Sequence, residues 1–309
     1  MTRSILLATA AVVLGAASAH AQSLTYQTID NPAGPAFNQL LGINNTGTIA
    51  GYYGSGAAGQ PNQGFSTKAP YAAFSSVNVP QSAQTQVTGL NNVGLSCGFF
   101  SNTNLGSGDA NYGFIRTPAR NHYEYLLVND PAGTANPPVT QVLGVDNAGL
   151  AVGFYNDAAG NAHGFELSLR TGGFTPVTVA GTTSVAATAV NRTNLVAGFG
   201  VDLKGHTFGF EKQVSGHTAA VRFSAPGSTF TQFLGINDSG VAVGFYNDAA
   251  GLSHGLIYTT AGTFTQVDAP TGAKGTALNG VNDAGQAVGF YTDANSVVHG
   301  LLVGGVPKQ

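Results

Sequence analysis

The chain has 309 residues, of which 44 are glycine and only 8% are charged, and its net charge is −3. Binding to a phosphate backbone needs a basic surface, so this balance argues against a nucleic-acid partner. Sparse charge together with 43% hydrophobic residues is typical of a folded, turn-rich β protein rather than of a disordered one.

The first 21 residues predict a secretory signal peptide. Arg3 supplies a positive start, residues 5–17 form an apolar run, and Ala19-His20-Ala21 is a small-x-small cleavage pattern. The run is too short to span a bilayer, and no later stretch approaches that length. We therefore expect an exported protein, secreted or periplasmic, without a membrane span. Its mature chain, residues 22–309, is predicted to be one domain with a net charge of −4.

Residues 24–29 (LTYQTI) predict a strand that precedes the first of six repeats. Each repeat carries a phrase of the form G-(I/L/V)-N-(N/D)-x-G, most eroded in the fourth copy. The third residue of the phrase falls at Asn44, Asn91, Asp146, Asn191, Asn237 and Asn282. The spacing is 45–47 residues apart from one gap of 55. A period in this range indicates repeat units that stack on their neighbours.

The fifth unit shows most clearly how each repeat is expected to fold. Residues 231–237, 241–246, 254–259 and 263–267 predict strands, and the turns between them are rich in Asn, Asp and Gly, which tolerate positive φ. Glycines recur at one register in the second and third strands of every unit. We interpret them as the sign of sheets packed tightly face to face. The single cysteine, Cys97, falls where other units carry Ala or Val, so we expect a buried, unreactive thiol.

Four strands in each of six units predict an all-β fold, a six-bladed β-propeller. A parallel β-helix is the main alternative. The chain ends favour the ring, because the sixth unit has no fourth strand after residues 299–303. The strand at residues 24–29, followed by Asp30-Asn31-Pro32, matches the missing one. We expect it to complete the last blade and to close the ring without an open edge.

These motifs resemble those of the bacterial HAF extracellular repeat family, which is named for a His-small-Phe motif that follows the G-I-N-x-x-G turn. The motif stands here as His163-Gly164-Phe165, His254-Gly255-Leu256 and His299-Gly300-Leu301, and it is relaxed in the other three units. The resemblance covers essentially the whole mature chain and implies an exported repeat protein. It implies no particular activity, and neither does a fold.

In three units an Asp and a His flank the connection between the second and third strands. They are Asp157 with His163, Asp248 with His254, and the gapped pair Asp293 and His299. Imidazole and carboxylate are possible ligands of a divalent metal. Each Asp begins a tight turn, however, where its side chain is expected to accept bonds from local backbone N–H groups. We therefore expect no metal and no cofactor, with the metal site as the alternative hypothesis.

Longer loops distinguish the first two units from the other four. Residues 54–63, 101–112 and 129–139 are predicted to lie on one face of neighbouring blades, where insertions in repeat arrays often build a binding surface. Neutral drift in loop length is the alternative explanation. The candidate ligand-binding residues are Asn102, Asn104, Asp109, Asn111 and Tyr112.

The opposite face carries the densest polar and aromatic cluster, within residues 116–125. The candidate catalytic residues there are Arg116, Arg120, His122 and Tyr125. They are suited to an acidic sugar or to acid–base chemistry, and a solvated hairpin is the alternative. Familiar catalytic motifs are missing from the sequence. The sequence thus favours a monomeric, secreted, non-catalytic binding or structural propeller that recognises carbohydrate or protein. The alternative function is a propeller enzyme, a lyase or hydrolase of polysaccharides.

Overall fold

The chain forms six four-stranded antiparallel sheets arranged as the blades of a β-propeller. The computed structural model describes residues 23–57, 59–214 and 218–308, so the predicted signal peptide lies outside the described residues. Within each complete unit the strands pair in sequence order, from the innermost to the outermost. In the described part of the chain, no helix is long and apolar enough to cross a membrane.

The strands follow one another in chain order around the ring. A separate strand, β1, spans Thr25–Thr28. The first blade contains β2 (Asn38–Ile43), β3 (Ile49–Tyr53), β4 (Gln63–Thr67) and β5 (Phe74–Ser76). The second contains β6 (Gln84–Leu90), β7 (Ser96–Ser101), β8 (Tyr112–Pro118) and β9 (Tyr123–Val128), with a 3-10 turn at Gly106–Gly108. The third contains β10 (Thr140–Val145), β11 (Leu150–Asn156), β12 (Ala162–Ser168) and β13 (Phe174–Val177).

The remaining blades repeat this order. The fourth contains β14 (Thr182–Val190), β15 (Leu195–Asp202), β16 (Thr207–Gln213) and β17 (Val221–Phe223). The fifth contains β18 (Thr231–Ile236), β19 (Ala242–Asn247), β20 (Ser253–Tyr258) and β21 (Phe264–Val267). The sixth contains only β22 (Thr276–Val281), β23 (Gln286–Thr292) and β24 (Val298–Gly304) from its own unit. The predicted strands of the fifth unit are each confirmed to within one residue at either end.

The N-terminal strand supplies the fourth strand of the last blade, as predicted. β1 pairs antiparallel with β24, from Thr25 opposite Gly304 to Thr28 opposite Leu301. Ile29 continues the contact by donating its N–H to the Gly300 carbonyl at 2.9 Å, and its side chain is buried against the first blade. The ring is therefore closed by chain ends that pair within one sheet, which rules out the β-helix.

A β-bulge recurs in the innermost strand of every blade. In the third blade Val142 pairs with Gly153 and Gly144 with Val152, so that Leu143 is the extra residue. The register shifts at the equivalent place in the other five blades. A Cβ atom on Gly153 would overlap the carbonyl oxygen of Gln141, in the same blade. The second-strand glycines are thus required by the bulge within a blade, which corrects their interpretation as contacts between sheets.

The third-strand glycines do lie where neighbouring sheets meet, as expected. A Cβ atom on Gly113 would lie 2.9 Å from a methyl of Val142, and one on Gly209 would lie 2.9 Å from the ring of Phe233; both partners belong to the next blade. The apolar core is accordingly divided among the spaces between blades. Cys97 is fully buried in one of them, so its expected burial is confirmed. Burial raises the pKa of its thiol to about 12, and its low reactivity stays a prediction.

Candidate functional site

The two faces of the disc carry different connections. The loop face holds the second-to-third strand loops and the connections between blades, while the turn face holds the G-I-N-x-x-G turns and the third-to-fourth strand hairpins. Backbone bonds tie the connections of each face together. On the loop face, Asn156 donates to the Val139 carbonyl at 3.0 Å, and on the turn face Leu169 donates to the Gly149 carbonyl at 2.9 Å.

The three long segments of the first two units are contiguous on the loop face. The Asn104 side-chain amide donates to the Ala57 carbonyl at 3.1 Å, which joins residues 54–63 to residues 101–112. The Asn111 N–H donates to the Pro138 carbonyl at 2.8 Å, which joins residues 101–112 to the third segment. The structure therefore brings together the surface that the sequence assigned to binding.

A cavity of about 250 Å³ opens between the first and second blades, beneath these loops. Hydroxyl and amide side chains make up most of its polar lining, and Phe99 and Phe100 supply apolar surface. Asn62 lines the cavity and is buried, yet its Oδ1 atom has no hydrogen-bond partner within the described part of the chain. A buried acceptor without a donor costs about 1–3 kcal/mol, so this oxygen favours a ligand or water that can donate a hydrogen bond.

Asp109, a predicted ligand-binding residue, lines the same cavity but already has several partners. Its carboxylate accepts bonds from the Gln84 side chain at 2.6 Å, from the Thr103 hydroxyl, and from the Leu105 and Gly106 N–H groups at 2.9–3.2 Å. Burial alone would raise the pKa of Asp109, but the bonds from Thr103 and from the two backbone groups outweigh it and lower the pKa. Asp109 therefore stabilises the conformation of the loop. Its charged carboxylate oxygens already accept hydrogen bonds from their neighbours.

The other predicted ligand-binding residues occupy different positions around this cavity. Asn102 is exposed on the loop, and Asn111 lines the cavity while its Oδ1 accepts a bond from Gln141 at 2.7 Å. The Tyr112 ring is half-buried and lies 5.6 Å from the ring of Phe100 in a tilted arrangement. Asn104 donates a hydrogen bond to the first unit, and Tyr112 packs against a core cluster that includes Ala50 and Val77 of that unit.

Sequence reasoning missed the residues that the strands contribute to the cavity. Gln86 and Phe99 face each other across β6 and β7, and both line it. Asn62 stands directly before β4, in the position that Asn111 holds before β8. That equivalence was available in the repeat alignment. What the alignment does not show is that these side chains converge, because convergence depends on contacts between blades.

A second cavity of about 380 Å³ lies on the other side of the first unit's long loop. Its lining is more apolar and includes Pro35, Phe37, Tyr53 and Pro61. Ser55 lines both cavities. The loop at residues 54–63 therefore separates two neighbouring depressions on the loop face.

The predicted catalytic residues on the turn face do not converge. The Arg116 guanidinium stacks on the Tyr123 ring with 3.2 Å between its carbon and the ring centroid, and the Tyr125 hydroxyl donates to the Asn78 carbonyl at 3.0 Å. His122 lies 3.7 Å from Glu124, and both side chains are about two-thirds exposed. Arg120 is exposed as well. Each of these groups has a separate partner or faces solvent, which fits the solvated hairpin better than an acid–base site.

The Asp and His pairs on the loop face behave as local turn structures. Asp157 Oδ1 accepts the N–H groups of Ala159 and Asn161, both at 2.9 Å, and Oδ2 lies 2.9 Å from Nε2 of His163. The bond to His163, followed by those from the backbone, lowers the pKa of Asp157. The carboxylates of Asp248 and Asp293 bond their own turns in the same way. Among the described residues, no group of three or more His, Cys, Asp or Glu side chains is arranged to hold a metal.

Two of the histidines lie between two carboxylates. His254 is 2.8 Å from Asp268 through Nδ1 and 3.5 Å from Asp248 through Nε2, and its ring stacks on Tyr246. Burial alone would lower the pKa of His254, but Asp268 and then Asp248 outweigh it and raise the pKa. His299 has the same surroundings in the closing blade, with Asp30 at 2.7 Å and Asp293 at 3.8 Å.

Around the central axis, the repeated Asn side chains link one blade to the next on the turn face. In each unit Oδ1 of the third residue of the phrase accepts backbone N–H groups of its own turn, as in Asn91, which binds Val93 and Leu95. The side-chain amide donates to the carbonyl of the equivalent residue in the next blade. These bonds run from Asn44 to Asn91 (3.0 Å), Asn91 to Asp146 (2.7 Å), Asn191 to Asn237 (3.0 Å), Asn237 to Asn282 (3.2 Å) and Asn282 to Asn44 (2.9 Å).

The chain is a six-bladed β-propeller, and the loops on its loop face are longest over two adjacent blades. No family model and no curated protein matches the chain. Solved structures do match. AofleA from Arthrobotrys oligospora is 10% identical over 91% of this chain and 86% of its own, with a TM-score of 0.54. TolB from Acinetobacter baumannii is 9% identical over 89% and 66%, with a TM-score of 0.52.

A third match is the Aleuria aurantia lectin, described as a fungal lectin with a six-bladed β-propeller fold and a novel fucose recognition mode. It is 10% identical over 74% of this chain and 78% of its own, with a TM-score of 0.43. At such identities the likeness concerns the fold alone.

Proposed function

We propose that this protein is an exported, non-catalytic, carbohydrate-binding propeller, and that the loop face over the first two blades holds the ligand. The observation that carries the proposal is the cavity of about 250 Å³ beneath the long loops, with the unpartnered oxygen of Asn62 in its wall. Neutral amides and hydroxyls beside aromatic rings suit a sugar, which presents both hydroxyl groups and apolar faces.

The charged residues that line the cavity indicate which class of sugar it can bind. Of the described residues that line it, none is basic and one is acidic, Asp109, whose carboxylate already accepts hydrogen bonds from its neighbours. An acidic sugar would have to be desolvated there without a compensating cation. We therefore propose a neutral sugar as the ligand.

The second cavity extends the proposed site to more than one sugar ring. It lies next to the first across Ser55 and is lined by Phe37, Tyr53 and two prolines. A rigid apolar wall of this kind can pack against one face of a ring at little entropic cost. A ligand that crosses the loop at residues 54–63 would contact both cavities, so we expect a short oligosaccharide to bind more tightly than a monosaccharide.

Export and family membership belong to the same proposal. The signal-peptide pattern at residues 1–21 and the resemblance to HAF-type repeats support an extracellular or periplasmic location. A chain that meets its ligand outside the cytoplasm suits recognition of glycans. Localisation of the mature chain by cell fractionation tests this part separately from binding.

A glycan array that contains neutral and acidic oligosaccharides, read for both binding and product release, tests the function. We expect binding of neutral glycans without release of product. Release of product from any polysaccharide would instead establish the enzyme alternative. Array signals confined to acidic glycans would contradict the proposed site.

The variant Gln86→Ala tests whether the ligand binds in this cavity, and Gln232→Ala is its matched control. Both glutamines precede the bulge of an innermost strand at the same register, opposite Phe99 and Phe245, but only Gln86 lines the cavity. Loss of one hydrogen bond of about 1 kcal/mol should weaken binding about three- to tenfold in Gln86→Ala. Equal affinity in the two variants would place the ligand elsewhere.

A further inference from the structure

The junction between the third and fourth blades differs from the other five junctions around the axis. There the third residue of the phrase is Asp146, which has no amide to donate to the carbonyl of Asn191. Asp146 is only 5% exposed, and its Oδ1 accepts the N–H groups of Ala148 and Leu150 at 2.9 and 2.7 Å. Its Oδ2 atom, which occupies the place of the donating nitrogen, is buried and has no hydrogen-bond partner among the residues that the structure describes.

The fourth residue of the phrase also lacks its usual hydrogen bond to the next blade at this junction. Elsewhere the backbone N–H of that residue donates to a side-chain oxygen of the following blade, as from Asn92 to Asn147 at 2.8 Å and from Arg192 to Asp238 at 2.9 Å. The residue that should accept from Asn147 is Arg192, whose guanidinium carries no acceptor. Both links between blades are therefore lost at one place.

Two acceptors at this junction lack a donor from the neighbouring blade, Asp146 Oδ2 and the Asn191 carbonyl oxygen. In five junctions one lone pair of the carbonyl takes the amide of the preceding blade; at Asn191 the only bond to the carbonyl from the described residues is the one from its own turn, from the N–H of Asn194 at 3.0 Å. A buried carboxylate oxygen without a hydrogen-bond donor is unfavourable unless a positive group lies beside it. Arg192 makes no hydrogen bond to Asp146 Oδ2, and its Nε lies instead 3.7 Å from Asp238 in the fifth blade.

The surrounding charge is negative. The cavity on the axis, of about 80 Å³, is lined by Asp146, Asp238 and Asp283 and by a single cation, Arg192. Three carboxylates and one guanidinium leave a net charge of −2. The remaining polar residues that line this cavity are asparagines, so its uncharged polar groups are amides.

We propose that this junction binds a Ca²⁺ ion, held by Asp146 Oδ2 and the Asn191 carbonyl oxygen and completed by water in the axial cavity. Carboxylate, carbonyl and water oxygens are the ligands that Ca²⁺ takes, in flexible geometry. A divalent ion would neutralise the net charge of the cavity and would join the two blades that lack their direct bonds. With one carboxylate in the site, the dissociation constant should be on the order of 10⁻⁴–10⁻³ M.

The experiment measures the melting temperature of the full mature chain in chelator and in rising Ca²⁺, at constant ionic strength, with isothermal titration as a second readout. We expect a rise of several degrees and one binding site. Asp146→Asn restores the residue type found in the other five units. It should bind no Ca²⁺, and its melting temperature in chelator should equal or exceed that of the unsubstituted protein in chelator.

Two further variants separate this site from general attraction of cations. Asp157→Asn removes a half-buried carboxylate of the same unit, on the loop face, and should keep the full response to Ca²⁺. Arg192→Asn removes the neighbouring positive charge and should tighten Ca²⁺ binding several-fold. A melt of the unsubstituted protein that ignores Ca²⁺, a full response in Asp146→Asn, or weaker binding in Arg192→Asn would each overturn the proposal. Replacement of Ca²⁺ by Na⁺ with equal effect at equal concentration would overturn the assignment to a divalent ion.

Discussion

Asp30 and His299 are 269 positions apart in the chain and lie 2.7 Å from each other in the fold. The other oxygen of Asp30 accepts the N–H of Gly300 at 2.9 Å. One carboxylate, directly after β1, thus binds both the side chain and the backbone of β24. Closure of the ring therefore rests on side-chain contacts in addition to strand pairing.

A chain that begins at Asn31 should be much less stable than one that begins at Ser23. It loses the pairing of β1, the buried side chain of Ile29 and the contacts of Asp30. Each lost hydrogen bond is worth about 1 kcal/mol and burial of the isoleucine about 2 kcal/mol. At roughly 2–4 °C per kcal/mol for a large domain, we expect the melting temperature to fall by about 10 °C or more.

The exposed edge of β24 should also promote association of the shortened chain. Calorimetry and light scattering of the two chains at equal concentration measure both effects. Identical melts and a monomeric shortened chain would show that β1 does not close the ring.

Asn237→Asp should weaken the ring of bonds around the axis. Asn237 is 5% exposed, and its amide donates to the Asn282 carbonyl at 3.2 Å while its Oδ1 accepts from Ser239 and Val241. The substitution keeps the acceptor and removes the donor, at an expected cost of about 1–3 kcal/mol. A fall of about 5–10 °C in melting temperature is expected.

Asn92→Asp is the matched control for that substitution. It adds the same charge to the same rim, but Asn92 acts there by accepting the Asn45 N–H at 2.8 Å, and an aspartate keeps this bond. The fifth and sixth units already carry an aspartate at this position. Equal losses in the two variants would mean that charge, and not the missing donor, determines the effect.

Local pattern was enough to predict the fold, because the determinants of each strand lie within a few residues. Residues 231–267 could be divided into four strands from their turn residues and from the aromatic and β-branched residues between them, and the unpaired sixth unit pointed to β1. Because the pattern occurs six times, each strand assignment could be checked against the equivalent segments of the other units. The ring closure followed from comparing the chain ends, without any knowledge of side-chain contacts.

Local pattern was insufficient for the bulge and for the site. Gly153 is a glycine because the carbonyl of Gln141 is displaced toward it, and the sequence does not show which backbone atom comes close. Asn62 and Gln86 meet in one cavity because two blades pack at a particular distance. Asp146 takes the place of an Asn found in the other five units, and only the partner in the next blade shows that a donor is missing.

His254→Gln should reduce the dependence of stability on pH above neutrality. Asp268 and Asp248 raise the pKa of His254 against the effect of burial, so the folded protein binds this proton more tightly than the unfolded chain does. The stabilisation is complete below the unfolded pKa of about 6.5 and is lost as the pH rises through the raised pKa. The pKa of Asp248 is lowered, first by the Leu252 N–H, so its contribution is lost only as the pH falls through that lowered value.

Melting temperatures at pH 5.5 and pH 8 measure the effect. We expect the unsubstituted protein to lose more stability over this interval than His254→Gln. His122→Gln, at a ring that is about two-thirds exposed, serves as control and should behave like the unsubstituted protein. An unchanged pH dependence in His254→Gln would show that the two aspartates do not hold its proton.

Cys97 should resist thiol reagents until the protein unfolds. The side chain is fully buried, and burial raises its pKa to about 12, so little thiolate forms at pH 8. A colorimetric thiol assay should detect no reaction in the native protein and one thiol in denaturant. Val93→Cys places a second thiol at a residue that is 62% exposed and should react at once. Rapid native labelling of Cys97 would mean that the second and third blades separate readily.

Asp109→Ala should disorder the loop of the second unit and abolish glycan binding without unfolding the protein. The carboxylate holds the Thr103 hydroxyl, the Leu105 and Gly106 N–H groups and the Gln84 side chain, and no other described side chain accepts all four. Hydrogen exchange at residues 103–112 should therefore accelerate. The melting temperature should change by no more than about 5 °C, because surface loops contribute little to global stability.

Asp202→Ala is the matched control for the loop. Asp202 accepts the N–H groups of Lys204 and His206 at 2.8 and 2.9 Å in the fourth blade, away from the proposed site. This variant should speed exchange in its own turn and keep full affinity for the neutral glycan identified on the array. Retained binding in Asp109→Ala, together with loss of binding when Arg116, Arg120 and His122 are replaced by alanine, would move the site to the turn face. Loss of binding in Asp202→Ala alone would place it over the fourth blade, since the two substitutions remove the same kind of anchor from different parts of the ring.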